Sequence, residues 1–194
     1  MMPETVDMAH SEVRSLVTKA ARGAGMNWGI AEEAGWAADW LARRSMPAAE
    51  WATLWLGKVL EGRPDAVAVG VGLQDRMASE GVNFASVSLP DDLFAPGYVL
   101  PFVHLVAARY GTLEIVCTAG QAAMVCPDGE VTFGPAWSNC ASGWSVGLAR
   151  DAHPKRLSVP AAVVDCLEGL ALHTTVPPSD TSRRDAGSAT TEND

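Results

Sequence analysis

Apolar positions in the first third of the chain recur at three- and four-residue steps, the spacing of one helical face. Val13, Leu16, Val17 and Ala20 predict a helix from about Glu12 to Arg22, with Ser11 as its cap and residues 1–9 loose. Gly23 and Gly25 break it, and Asn27 can cap a second helix in which Ile30, Ala34, Ala37 and Leu41 share a face. Trp36 and Trp40 mark an adjoining stripe. Glu32 and Glu33 stand in the early turns and Arg43 and Arg44 in the last, as the helix dipole favours. Pro47 suits the first position of a third helix, where its missing N–H would be unpaired anyway. There Trp51, Leu54, Trp55, Leu56, Val59 and Leu60 cover a wide arc, which predicts burial on more than one side.

Beyond Glu61-Gly62-Arg63-Pro64-Asp65 the period changes. Val67, Val69, Val71 and Leu73 alternate, which predicts a strand, with 74–80 as a short helix. Residues 82–89 read as a further strand and 90–97 as a loop. Pro101 opens a helix through Tyr110, closed by Gly111, with a valine-rich strand as the competing reading. Leu113 to Thr118 reads as a strand. Ala122–Cys126 and Glu130–Phe133 flank Pro127-Asp128-Gly129, a hairpin signal. Trp144 to Arg150 reads as a strand, and Val159-Pro160 starts a helix through about His173. Helices, then hairpin-linked strands, then a helix describe an α+β fold: an N-terminal Trp-rich helical layer on a mostly antiparallel sheet, with a C-terminal helix. One domain over residues 1–176 and a polar arm over 177–194 follow, because the arm holds no large apolar residue.

Composition narrows the function classes. Against 14 basic residues stand 23 acidic ones, for a net charge of −9 and no basic stripe, which argues against nucleic acid. No apolar run is long enough to span a bilayer, and the N-terminus lacks the basic and apolar regions of a secretory signal, so a cytoplasmic location is expected. Cys117, Cys126, Cys140 and Cys166 form no closely spaced pair. They read as reduced, largely buried thiols, with no metal and no cofactor expected.

Several constellations invite a chemical reading. Gly143-Trp144-Ser145-Val146-Gly147 matches the letters of the nucleophile elbow of serine esterases, and Asp165 and His173 follow in the order that chemistry requires. The strand–turn–helix around such a serine is missing, since Pro154 soon forbids a helix. Gly23-x-Gly25-x-x-x-Gly29 resembles a dinucleotide loop by letters, but a helix precedes it where a strand is needed. Gly70-x-Gly72 carries Asp75 in place of the third glycine, a charge that would repel phosphate. His10, His104, His153 and His173 are scattered, and His104 and His173 read as structural. Glu32 and Glu33 point about 100° apart on a helix and form no converging acid pair.

The residues A-A-R-G-A-G at 20–25 and W-G-I-A-E-E-A at 28–34 resemble an uncharacterised bacterial family, a domain of unknown function. Val176-Pro177, Ser182-Arg183 and the terminal Asn193-Asp194 resemble its C-terminal end. The resemblance implies no activity, substrate or cofactor.

The leading expectation is a non-catalytic or accessory protein that self-associates and binds a small molecule. Arg22, Asn27, Trp28 and Glu32, gathered at a helix start, form the candidate ligand-binding patch. The alternative is an enzyme on small organic acids or esters with Ser145 as nucleophile. The wide arc of the third helix further predicts a homodimer, with the arm that carries Arg183 and Arg184 as its polar rim.

Overall fold

A computed structural model describes residues 5–80, 87–88, 90, 93–116, 122–134, 137 and 156–174. The described elements are β1 (Thr5–Ala9), α1 (His10–Gly23), α2 (Trp28–Ala42), α3 (Ala48–Leu60), α4 (Ala66–Glu80) and β2 (Val87–Ser88). A 3-10 turn (Pro96–Val99) then leads into α5 (Leu100–Tyr110), β3 (Leu113–Val116), β4 (Ala122–Val125), β5 (Val131–Phe133), β6 (Arg156–Pro160) and α6 (Ala161–Leu172). The architecture is α+β, as the pattern predicts, with helices supplying most of the core.

Small residues set how closely the helices approach. α1 buries Val13, Val17, Ala20 and Ala21, while α2 buries a largely alanine face from Ala31 to Ala42. A Cβ at Gly35 would lie 1.9 Å from the Thr18 hydroxyl, so the α1–α2 contact requires glycine there. On its other flank α1 meets α6, where a Cβ at Gly23 would sit 1.5 Å from the Leu170 carbonyl oxygen. Rings fill the spaces left between such backbones. Trp55 stacks on Tyr98, with centroids 5.5 Å apart, and Trp36 meets Phe102 edge-on.

Part of the wide arc of α3 is buried within the monomer, while Leu54 and Val59 are half-buried and Leu60 is exposed. Trp51, Trp55 and Leu56 are all buried, against the 3-10 turn and the neighbouring helices rather than against a sheet. Residues 177–194, the proposed arm, lie outside the described residues.

The segment from Val67 to Leu73 is helix, not strand. Asp65 nucleates it: one carboxylate oxygen accepts from the Val67 and Ala68 N–H groups, as a helix cap does. Gly70 then lets α4 close onto Phe102, whose ring would lie 2.3 Å from any Cβ there. The alternation of valine with alanine and glycine reflects this packing and not a pleat. Smaller differences are local. Ala9 rather than Ser11 precedes α1, its N–H donating to the Glu12 carboxylate at 2.6 Å, and Pro47 stands one residue before α3.

The strands form two small sheets. One has the order β2-β3-β4-β5, antiparallel except for the parallel β2–β3 pair. Leu113, Ile115, Ala123, Val125 and Val131 are buried positions of this sheet, and β3 and β4 pack on α5. The hairpin expected at Pro127-Asp128-Gly129 is present as β4–β5. β1 and β6 make a separate antiparallel ribbon, from Thr5 opposite Pro160 to Ala9 opposite Arg156. Neither of its strands is predicted from the residue pattern. The expected strand at Trp144–Arg150 lies outside the described residues.

Candidate functional site

The turn between α1 and α2 brings three of the four predicted binding residues together. Gly25 adopts φ +88°, a conformation glycine reaches without strain, and the chain reverses there. The Met26 carbonyl accepts from Arg22 Nη1 at 2.5 Å, which fixes the guanidinium over the turn. Asn27 caps α2 by accepting from the Ile30 N–H at 2.9 Å. Trp28, the first residue of α2, then lies with its ring centroid 5.5 Å from the Arg22 guanidinium carbon, a cation–π distance. The Trp28 side chain is 62 % exposed although the ring is among the largest apolar groups available. Glu32 is exposed one helical turn further on, on the side of α2 that Trp28 occupies by its i, i+4 spacing. The C-terminal end of α6 borders the same turn, with His173 Nδ1 3.2 Å from the Gly23 carbonyl oxygen.

A second polar cluster forms where the β4–β5 hairpin meets α2 and α5. Arg44, just past the end of α2, lies over the Trp40 ring with its guanidinium carbon 3.8 Å from the centroid. Its Nε donates to the Gly129 carbonyl at 2.9 Å and its Nη1 to the Trp40 carbonyl at 3.2 Å. Gly129 has φ +86°, and a Cβ there would lie 2.2 Å from Arg44 Nη2, so the turn needs glycine on both counts. From α5, His104 Nδ1 accepts the Trp40 indole N–H at 3.1 Å. Burial, with Arg44 second, lowers the His104 pKa from its ordinary 6.5; the Pro127 carbonyl and Asp128 oppose the shift. Burial likewise lowers Arg44, with Asp128 opposing. The Cys126 sulfur and the carboxylates of Asp128 and Glu130 in this turn lie within 4.8 Å of one another. They are the described side chains that could converge on a cation. Asp128 and Glu130 are exposed and Asp128 accepts from the Glu130 N–H at 3.0 Å, so no metal is assigned.

The chemistry-bearing patterns fare differently. Ser145 and its glycines lie outside the described residues, as do Cys117, Cys140 and His153. Asp165 and His173 cannot pair as acid and base, because one helix runs between them and holds them about 12 Å apart along its axis. The Gly23–Gly29 loop is a helix–helix connection, as read, and Gly70-x-Gly72 lies inside α4, where no phosphate loop exists. The hairpin cluster escapes the sequence reading. Its members come from positions 40, 44, 104 and 126–130, and no local spacing joins them.

The chain matches no curated protein and no solved structure. Over residues 8–88, from the end of β1 through α1, α2, α3 and α4 to β2, it matches the model of a family described as a protein of unknown function (DUF3726). That segment, which contains the α1–α2 turn, is thus similar to an uncharacterised family of unknown function.

Proposed function

We propose that this chain is a non-catalytic binding protein that self-associates and takes a small-molecule ligand, with Arg22, Asn27, Trp28 and Glu32 as the contact patch. The observation that carries the reading is Trp28, left 62 % exposed beside a guanidinium already anchored at Met26. Exposed tryptophan and arginine are residue types that anchor interfaces: the indole offers a large flat face with few torsions to fix, and this guanidinium is already held by the Met26 carbonyl. A planar, anionic small molecule suits the pair: its ring stacks on Trp28 while its carboxylate or phosphate meets the Arg22 donors. Asn27 is committed to the helix cap and serves to hold the turn. No described helix is long and apolar enough to cross a membrane, and Cys126 and Cys166 are free thiols. Both facts support a cytoplasmic setting.

Light scattering at micromolar concentration, with thermal-shift screening against small carboxylates and nucleotides, tests the proposal. The full chain is expected to be a dimer, and Trp28→Ala a monomer that melts like the parent. A ligand raises the melting temperature by mass action in the parent but not in Trp28→Ala or Arg22→Ala. A monomeric parent that no compound stabilises would refute the reading.

A further inference from the structure

The indole N–H of Trp40 can only donate, so His104 Nδ1, which faces it at 3.1 Å, must be the unprotonated nitrogen. The ring is therefore neutral in this arrangement. Adding a proton would place two donors against each other. It would also set a second cation beside Arg44, which lies on the same Trp40 ring and ties the hairpin down through the Gly129 carbonyl. One cluster thus holds both a titratable group and the tether of the β4–β5 hairpin.

We propose that Trp40, His104 and Arg44 form an acid-sensitive latch: with His104 neutral it clamps the β4–β5 hairpin to α2 and α5, and protonation of His104 releases the hairpin. The charges acting on His104 are Arg44, at the end of α2, and Asp128, in the hairpin turn. Asp39, on α2, is engaged with Arg43. Asp128 and the Pro127 carbonyl favour the protonated ring, while burial and Arg44 outweigh them. The latch therefore opens below the ordinary histidine value of 6.5. Acid release exposes the side of α5 on which β4 packs. It does not involve the Trp28 patch.

The test uses the full chain. Magnetic resonance follows the His104 ring and the Trp40 indole N–H through the titration. Hydrogen exchange, corrected for the intrinsic pH dependence, reports the protection of the 122–133 amides at about pH 7.5 and about pH 5.5. His104 is expected to titrate below 6.5, with hairpin protection falling about tenfold or more while the α1 and α2 amides keep theirs. His104→Gln, whose amide oxygen accepts from Trp40 without titrating, is expected to keep hairpin protection at both pH values. Asp128→Asn removes a charge that favours the protonated ring, so the His104 midpoint moves lower still. A midpoint at or above 6.5, unchanged hairpin protection through the titration, equal loss in His104→Gln, or an unmoved midpoint in Asp128→Asn each overturns the latch. If the glutamine variant fails to fold, the titration and exchange of the parent decide the matter.

Discussion

Replacing Asp65 by alanine removes more than a surface carboxylate. One of its oxygens accepts three hydrogen bonds: from the Trp55 indole at 2.8 Å, the Val67 N–H at 2.9 Å and the Ala68 N–H at 3.2 Å. The last two cap α4, and losing such a cap costs about 1 kcal/mol. The first is different in kind, because Trp55 is fully buried and stacked on Tyr98. Its indole N–H would lose its acceptor, at about 1–3 kcal/mol. Together Asp65→Ala should destabilise the fold by about 2–4 kcal/mol. Asp65→Asn keeps an acceptor oxygen and should cost less than about 1 kcal/mol. In a Trp55→Phe background no donor is stranded, so Asp65→Ala should cost only the cap, leaving a coupling of about 1–3 kcal/mol. Urea unfolding followed by far-ultraviolet circular dichroism gives the midpoints, and an unchanged slope licenses the comparison. If Asp65→Ala costs under about 0.5 kcal/mol, or as much in the phenylalanine background as in the parent, the shared acceptor does not carry this junction.

Gly97→Ala places a Cβ 2.0 Å from the buried Trp51 ring, an overpacking that should cost about 1–3 kcal/mol in the same urea assay; a neutral result would mean that the ring can retreat. Glu50, half-buried at the start of α3, has its carboxyl raised above the ordinary 4.5, chiefly by burial. Its ionised form is thus disfavoured in the folded state. The penalty is present at neutral pH and disappears as pH falls through the raised value towards 4.5. Glu50→Gln should accordingly raise the urea midpoint at neutral pH, with the gap narrowing on acidification; a lower midpoint at neutral pH would show that the carboxylate is stabilising. His104 has the opposite dependence. Its folded value is lowered, so stability is full above 6.5 and declines as pH falls from there through the folded value, a slope that His104→Gln should remove.

The hydrophobic spacing, the Asn27 cap and the turn at Pro127-Asp128-Gly129 were enough to locate α1, α2, α3, α5, α6 and the β4–β5 hairpin, because each is set by contacts within a few residues. The binding patch was legible for the same reason: Arg22, Asn27 and Trp28 all lie in one turn, and local chemistry gathers them. What local pattern could not supply was the partner that each surface would find. Val67 to Leu73 alternates like a strand, yet the Asp65 cap and the close seat of Gly70 on Phe102 make it a helix. β1 and β6 lie about 150 residues apart and become strands by pairing with each other. The arc of α3 predicts burial on more than one side, but only the tertiary structure shows that Gly97 admits the Trp51 ring and that Tyr98 covers Trp55. The Trp40–Arg44–His104 cluster exists only because packing brings a hairpin against two helices remote in sequence. Helix spacing, caps and turns are decided by short-range sterics and backbone hydrogen bonding, which a residue string records directly. Which faces meet depends on burial shared between distant segments, and that free energy appears only once the chain has closed on itself.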